Sequence, residues 1–239
     1  MKLGVNLDHI ATLRQVRGGI EPSPIKAAEI CLALGADYIV MHLRGDRRHI
    51  QETDLKKIAK IAREKIHLEM AATKEMVDFA TSIKCGSVCL VPEFPNELTT
   101  SGGLKLNKRN LPAIIRAIKA LHKAGIKVSL FVDPEPSNIR AAKRLEADIV
   151  ELCTKTYSEA RNEKARRIEL ERIEMATILA KELNLEVHSG HGLNYKNVED
   201  IAKVNGMEAL NIGHAIIAKS VFVGLPQALL NMKLLIGVK

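Results

Sequence analysis

Residues 23–49 read SPIKAAEICLALGADYIVMHLRGDRRH, and this stretch contains a complete helix-to-strand unit. Ser23 is placed to cap a helix over residues 24–34, and Gly35 ends that helix. The apolar run over residues 37–42 has the length and composition of a buried strand. A helix that returns directly into a buried strand is the repeating unit of a parallel sheet, so this stretch predicts an α/β fold.

The same unit recurs along all 239 residues, and we count eight alternations of strand and helix. A (β/α)8 TIM barrel usually has about 250 residues, so we predict one such barrel domain over residues 1–239, with extra helices. A doubly wound open sheet is the alternative, but no Gly-x-Gly-x-x-Gly follows the first strand. We expect every strand to be apolar on both faces. The predicted strands cover residues 3–6, 37–42, 66–70, 87–91, 127–132, 148–153, 186–189 and 209–212.

The helix predicted over residues 158–183 is long for a barrel, so we expect an additional helical turn or two before it. The last helical region, residues 214–236, is interrupted at Gly224.

The formal net charge of +8 makes nucleic acid one candidate partner. The basic residues, however, are interleaved with glutamates on helix faces, as in residues 161–172, and aromatic residues make up only 3% of the chain. We therefore expect small anionic substrates and no nucleic acid. No apolar stretch reaches the ~20 residues of a membrane span, and no signal peptide is evident. The four cysteines form no CxxC pair, so we expect a cytoplasmic protein with reduced thiols.

Barrel enzymes carry their chemistry at the carboxyl ends of the strands. Polar residues follow seven of the eight predicted strands, and the densest group lies within residues 42–49, with two histidines and three arginines. Imidazole exchanges protons near neutral pH and guanidinium binds phosphate, so this loop predicts an anion site with acid/base chemistry. The other residues are Asn6, Asp8 and His9 with Arg17 on the loop after strand one, Glu69, Glu93, Thr99, Glu151, His188, His191, Gly192, Asn211, Gly213 and His214.

Glu69 and Glu151 lie within otherwise apolar strands. A carboxylate there must be paired or have a displaced pKa, so an ion pair inside the barrel and an acid/base role both remain open. His42 and His191 also have a structural alternative, as satisfied core histidines. Because histidines recur at several strand ends, we favour the acid/base role.

The short spacing of His188 and His191 raises the possibility of a metal site. The chain has no HExxH motif and nearby arginines would repel a cation, so we expect no metal. Gly213 and His214 open the last helix directly after strand eight, where free backbone N–H groups attract phosphate. With the arginine-rich loop as a second anion site, the sequence predicts one bisphosphate substrate or two phosphorylated ones.

Seven motifs spread over essentially the whole chain resemble the pyridoxine 5′-phosphate synthase family. Gly45 is the one departure, since it stands where that family is expected to have an acidic residue. The motifs are GVNLDHIATLR (4–14), HLRGDRRHI (42–50), LEMA (68–71), LVPE (90–93), TTSGGL (99–104), SGHGLNY (189–195) and LNIGHAII (210–217).

The resemblance implies condensation of 3-amino-2-oxopropyl phosphate with 1-deoxy-D-xylulose 5-phosphate to pyridoxine 5′-phosphate, with release of phosphate and water and without a redox cofactor or metal. It implies that His42 and Glu69 are proton acceptors, His191 a proton donor and Glu151 a charge-stabilising group. The residues implied to hold the amino-ketone phosphate are Asn6, Arg17, Gly192, Gly213 and His214. Those implied to hold the deoxyxylulose phosphate are Asp8, His9, Arg44, His49 and Thr99.

The family resemblance further implies a homo-oligomer, an octamer, with the inserted helices at its contacts. Since reactive intermediates must be kept from water, we expect the long segment over residues 92–107 to close as a lid. Another phosphosugar isomerase or lyase on the same barrel remains the alternative enzyme, because fold does not fix chemistry.

Overall fold

The structure, a computed structural model, describes residues 1–93 and 102–238. Eight parallel strands close into a barrel in sequence order, and the last strand pairs with the first. The predicted (β/α)8 architecture is confirmed. The strands are β1 (Lys2–Asn6), β2 (Tyr38–His42), β3 (Ile66–Met70), β4 (Ser87–Leu90), β5 (Lys127–Val132), β6 (Ile149–Cys153), β7 (Glu186–Gly190) and β8 (Ala209–Ile212).

Helices follow the strands and form the outer layer, as the (β/α) repeat requires. None of the helices within the described ranges is long and apolar enough to cross a membrane. They are α1 (Asp8–Arg17), α2 (Pro24–Ala33), α3 (Glu52–Ala62), α4 (Lys74–Ile83), α5 (Leu111–Lys123), α6 (Pro136–Arg144), α7 (Lys155–Ser158), α8 (Glu163–Glu182), α9 (Val198–Ala202), α10 (His214–Val223) and α11 (Leu225–Leu235).

Side-chain caps fix several helix starts. The Ser23 hydroxyl accepts a hydrogen bond from the Lys26 N–H at 3.3 Å, which confirms the predicted cap of α2. At the start of α8, the Asn162 side chain accepts one from the Ala165 N–H at 2.9 Å. The short helix α7 precedes α8, as the length of the predicted 158–183 helix led us to expect.

The segment after β1 is a helix, so the prediction of a loop there was wrong. Helix α1 has no side-chain cap at its start, and its stability comes from contacts with the rest of the barrel. Ala11 is buried, and the buried Arg14 guanidinium binds the Asp54 carboxylate of α3 through two hydrogen bonds of 2.6 and 2.8 Å. Gly18 then ends the helix in a left-handed conformation, φ 64°.

The two faces of the strands differ, and the expectation that both are apolar was wrong. Side chains alternate along a strand. Outward residues such as Leu68, Leu130 and Leu152 pack with the helices in the main apolar core. Inward residues are largely polar although they are buried, and the separate apolar cluster found at this level is small. The buried polar residues include His67, Ser87, Ser129, Glu151, His188 and Asn211, and the small cluster is Cys89, Val91, Phe131 and Cys153.

Candidate active site

A cavity of about 620 Å³ opens at the carboxyl ends of the strands. That volume is within the range of small-molecule sites. All but two of the fourteen residues to which the family resemblance assigns a catalytic or substrate-binding role line it. They are His42, Glu69, Glu151 and His191 together with Asn6, Asp8, His9, Arg44, His49, Gly192, Gly213 and His214.

The two exceptions are Arg17 and Thr99. Arg17 is the exposed last residue of α1 and is not among the residues that line the cavity, so its contact with substrate stays a prediction. Thr99 and half of the predicted lid, residues 94–101, lie outside the described residues. Residues 102–107, the second part of that segment, are described. Their Gly103 N–H donates to the carboxylate of Asp133, directly after β5, at 2.8 Å.

Two carboxylates, those of Asp8 and Glu93, bind His42 at the end of β2. Its backbone N–H donates to the Asp8 carboxylate at 2.8 Å, and its Nε2 lies 2.9 Å from Oε1 of Glu93. The Glu93 carboxylate also accepts the Gly45 N–H at 3.0 Å. Burial opposes the charge of Glu93, but the bonds from His42 and Gly45 hold the pKa of this carboxyl below its usual value.

An ionised Glu93 can only accept, so the proton of His42 is on Nε2 and Nδ1 carries a lone pair. That Nδ1 lies 3.8 Å from Oε2 of Glu69. The arrangement places a proton-accepting nitrogen beside a buried carboxyl at the floor of the cavity. It is the geometry of a general base oriented by a second carboxylate.

Glu69 and Glu151 are two neighbouring carboxyls inside the barrel, of which Glu151 is buried while the side chain of Glu69 is 18% exposed at the cavity. Burial and the neighbouring charges of Glu151 and Asp8 raise the pKa of Glu69 well above its ordinary value. Burial also penalises the charge of Glu151, but hydrogen bonds and positive charge around it hold its pKa below the ordinary value. When the surroundings shift the pKa values of two carboxyls in opposite directions, the carboxyl with the raised pKa can carry a proton while the other stays charged.

The donors to Glu151 come from two strands. The Asn211 side-chain amide donates to Oε2 at 2.7 Å, and His67 Nε2 lies 3.4 Å from the same oxygen. Oε1 lies against Gly190, where an added Cβ would be only 2.5 Å away. Glycine is therefore required at residue 190 for the carboxylate to keep this position.

His191 stands on a left-handed turn at the end of β7. His191 and Gly192 have φ values of 79° and 82°, the first of which is uncommon for a residue with a side chain. The Thr154 hydroxyl holds the turn, since its oxygen lies 2.8 and 2.7 Å from the carbonyl oxygens of Gly190 and His191 and its single proton is shared between these two acceptors. Burial and the charge of Lys155 lower the pKa of His191, so its protonated form is a comparatively strong acid.

The start of α10 lies at one side of the cavity. Its first backbone N–H groups, at Gly213 and His214, have no partners within the helix and bear the positive end of its dipole. A Cβ on Gly213 would lie 2.8 Å from the Cβ of Asn6, so glycine permits this close approach. The rings of His9 and His214 meet edge to face at 5.1 Å, and burial lowers the pKa of His9.

A second cationic group lies after β2. Arg44 is buried and lines the cavity beside Arg48 and His49. The His49 Nδ1 accepts the Ile50 N–H at 2.9 Å, which leaves Nε2 with the proton of the neutral ring. Burial lowers the pKa of His49, so the neutral ring can donate to a substrate oxygen. The predicted second anion site thus has its side chains in the same cavity.

Among the residues that the structure describes, two sets of side chains have the composition of metal ligands, namely Asp8 with His42 and Glu69, and His67 with Cys89 and Glu151. The first set already uses Asp8 to bind a backbone N–H and His42 to bind Glu93. The sequence neighbours His188 and His191 do not form a common site. The ring of His188 packs below the cavity on His67 and Tyr38, whereas His191 lines the cavity.

Glu93 and Asn211 stand at strand ends in the sequence, but only the structure gives them roles. Each acts on a residue from a strand that is not its neighbour in the barrel. Glu93 follows β4 and binds His42 of β2, and Asn211 of β8 binds Glu151 of β6. His67 of β3 is likewise in contact with a site residue, Glu151. The available signal was a polar residue within an apolar strand.

The family model described as "Pyridoxal phosphate biosynthesis protein PdxJ" matches residues 3–237. The pyridoxine 5′-phosphate synthase of Elusimicrobium minutum (strain Pei191) is 56% identical over 233 residues, which are 98% of this chain and 96% of that protein. The enzyme of the same name from Geotalea uraniireducens (strain Rf4) is 49% identical over 231 residues, 97% of this chain and 96% of that protein.

Solved structures at low identity support the fold alone. Phosphoribosyl anthranilate isomerase from Thermus thermophilus has a TM-score of 0.60 at 13% identity and covers 98% of this chain and 100% of that one. A 3-hexulose-6-phosphate synthase has a TM-score of 0.62 at 15% identity, over 98% of this chain and 99% of that one. Since the family match extends over almost the whole sequence and the relatives share about half of its residues, the chain belongs to the PdxJ family of pyridoxal phosphate biosynthesis proteins.

Proposed function

We propose that this protein is a pyridoxine 5′-phosphate synthase. It joins 3-amino-2-oxopropyl phosphate to 1-deoxy-D-xylulose 5-phosphate, closes the pyridine ring, and releases phosphate and water. The observation that carries the proposal is the pair Glu69 and Glu151, whose pKa values are displaced in opposite directions inside one cavity with two anion-attracting sides. One buried carboxyl can then move protons while the other remains charged.

The roles follow from the contacts. Amine and ketone condense to an imine, and water and phosphate leave through enamine-like species, so each step needs a proton transfer. His42, oriented by Glu93, and Glu69 in its ionised form remove protons, and His191 returns one to a leaving group. The charged Glu151 stabilises positive charge on the substrate nitrogen. A positioned general acid or base typically contributes about 10²- to 10⁴-fold to the rate.

The two phosphates take opposite sides of the cavity. The amino-ketone phosphate binds the N–H groups at the start of α10 with Asn6, Gly192 and His214. The deoxyxylulose phosphate binds Arg44 and His49, with Asp8 and His9 on its hydroxyl groups. We keep Arg17 and Thr99 in these two sets as predictions. Holding both molecules in one cavity makes their condensation effectively intramolecular.

The decisive experiment is incubation of the purified protein with both substrates, with detection of fluorescent pyridoxine 5′-phosphate and of released inorganic phosphate. We expect both products in equal amounts, and neither with one substrate alone. Conversion of a single phosphosugar without ring formation would instead favour an isomerase or lyase. Addition of a chelator is expected to leave the rate unchanged, because the proposed steps use side chains only.

We also propose that the protein is a homo-oligomer, an octamer in its complete form. Several large apolar side chains are exposed on α1 and on the neighbouring α10, with Val16 at 80% exposure and Phe222 at 88%. Exposed large apolar side chains on two helices that touch each other are typical of protein interfaces. Light scattering should give eight times the chain mass of 26.3 kDa, and Phe222→Ser should lower it. A monomer mass for the unmodified protein would contradict the proposal.

Residues 1–239 are proposed to form one domain, and the protein is proposed to be cytoplasmic with no nucleic-acid or membrane partner. Four buried cysteines without disulfides, Cys31, Cys85, Cys89 and Cys153, suit a reducing compartment. A steep salt-dependent affinity for DNA or RNA would contradict the absence of a nucleic-acid partner.

A further inference from the structure

A layer of polar side chains lies beneath the cavity, inside the barrel. His67 of β3 and His188 of β7 are at most 1% exposed, and their ring centres are 5.7 Å apart. Neither lines the cavity, so neither is placed to touch a substrate there. Buried imidazoles are costly unless they are hydrogen-bonded, so the contacts of this layer indicate what it does.

His67 joins the layer to the active site. Its Nδ1 lies 2.6 Å from the Ser87 hydroxyl on the neighbouring strand, and its Nε2 lies 3.4 Å from Oε2 of Glu151. Residues 67 and 69 are two apart in β3 and share the inward face, so His67 stands directly below Glu69. One imidazole is thus anchored at one nitrogen and directed at a carboxylate by the other.

We propose that His67 is a positioning residue whose Nε2–H, fixed by the Ser87 hydroxyl on Nδ1, keeps the Glu151 carboxylate charged and oriented beneath the substrates. This inference rests on the charge-stabilising role proposed for Glu151. What is new is that a residue which touches neither substrate sets the charge and orientation of Glu151. Asn211 binds the same oxygen from β8, so Oε2 has donors from two strands while Oε1 faces Gly190.

The contact also decides which of the two carboxyls carries a proton. Two neighbouring carboxylates repel each other, so a charged Glu151 raises the pKa of Glu69. The bond from His67 is one of the causes that hold the pKa of Glu151 below its ordinary value despite burial. Removal of this donor should therefore raise the pKa of Glu151 and lower that of Glu69.

Other groups inside the barrel bear on the same equilibrium and remain in place in the variants below. Burial lowers the pKa of His188, whose Nε2 lies 3.2 Å from Oε1 of Glu186, and Glu186 forms the next ion pair below with Lys2. The groups that face His67 and Glu151 from the surrounding strands are Lys2, Tyr38, Glu69, Ser87, Cys89, Ser129, Glu186, His188 and Asn211.

The test compares His67→Leu, which removes the donor at similar volume, with His67→Gln, whose amide can still donate. Infrared pH titration of the protonated carboxyl bands reports both glutamates without turnover, since Glu69→Gln and Glu151→Gln identify each band. For His67→Leu we expect the Glu151 titration to move up by about one pH unit and that of Glu69 to move down. We expect kcat to fall about tenfold with little change in either KM, and His67→Gln to restore most of both.

His122→Gln is the matched control. It removes another histidine–carboxylate contact, the 2.9 Å contact to Asp148 outside the site, and should move neither titration. Unchanged titrations in His67→Leu would overturn the proposal, as would equal losses of activity in the leucine and glutamine variants. If His67→Leu does not fold, Ser87→Ala decides, with a smaller upward shift of Glu151 expected and no shift overturning it. Failure of the unmodified protein to form the ring would refute the proposed function and leave the titration result standing.

Discussion

The side chains on the outer face of the barrel strands and those on the inner face contribute differently to the protein. Leu68 points outward and is fully buried among apolar side chains, where each Å² removed from water stabilises the fold by about 25 cal/mol. Glu69, the next residue, points inward to the cavity, where its carboxyl has a raised pKa. One residue along a single strand separates a contribution to stability from a contribution to chemistry. The outer face therefore stabilises the fold. The inner face holds polar and ionisable side chains that contribute to the chemistry of the cavity.

The largest expected effect comes from Glu69→Gln. Loss of a proton acceptor should lower kcat by about 10²- to 10⁴-fold. The same change should raise the melting temperature at alkaline pH, because it removes a carboxyl whose ionisation is unfavourable in the folded protein. Steady-state rates and thermal unfolding at several pH values measure both effects.

The sign of the pH dependence follows from the raised pKa of Glu69. The folded protein holds this proton more tightly than the unfolded chain, so stability from the neutral carboxyl is complete below the ordinary pKa of 4.5. It is lost progressively as pH rises from there through the raised pKa. The advantage of the glutamine variant should therefore grow with pH in that window. Near-normal turnover, or an advantage that shrinks as pH rises, would contradict the assignment.

Leu68→Ala tests the other face of the same strand. Truncation in a packed core should lower the free energy of unfolding by about 2–5 kcal/mol. Since Leu68 faces the helices, the rate per folded molecule should be unchanged. Urea unfolding at fixed protein concentration and active-site titration measure the two quantities. Leu68→Met, which conserves volume, serves as control, and a large loss of kcat in Leu68→Ala would break the distinction between the faces.

Glu93→Gln should lower kcat about tenfold or more, because a charged partner of His42 becomes neutral. The loss should lie in kcat, since Glu93 orients the base. Glu52→Gln is the matched control, as Glu52 pairs with Arg47 in the same loop region at 2.8 Å. If the two substitutions had equal effects, the loss of kcat would be explained by a less stable loop and the orienting role of Glu93 toward His42 would be contradicted.

The smallest expected effect is that of His214→Ala. Loss of this side chain at the start of α10 should raise the KM for 3-amino-2-oxopropyl phosphate about tenfold. The KM for 1-deoxy-D-xylulose 5-phosphate should change less, because that substrate is assigned to the side of Arg44 and His49. Steady-state kinetics with each substrate varied in turn provides the measurement, and equal changes would contradict the assignment of sides.

The strands and most helices were predictable because their signals are local. The run over residues 37–42 and the cap at Ser23 lie within a few residues of the elements they define, and β2 and α2 appear where expected. Helix α1 was missed because its support is distant in sequence. Arg14 must meet Asp54, 40 residues away, before the helix is stabilised.

The membership of the site was more predictable than its internal contacts. Glu69, Glu151 and His191 converge because a parallel barrel brings every carboxyl end to one rim. The contact of His42 with Glu93 crosses from β2 to β4, past the intervening strand, and no local pattern encodes it. The polar inner face was not predicted, because the outward leucines and valines give each strand the overall composition of an apolar run.

The Arg14 guanidinium has a consequence for how the mouth of the barrel moves. Besides Asp54, it binds the carbonyl of His49 at 3.1 Å, and Asp54 in turn accepts the Gln51 N–H at 3.0 Å. One cation thus fastens the connection after β1, which carries Asp8, to the connection after β2, which carries His49. The same ion pair therefore sets the distance between two groups assigned to 1-deoxy-D-xylulose 5-phosphate, and a substitution at Asp54, which does not line the cavity, would displace both of them from that one substrate.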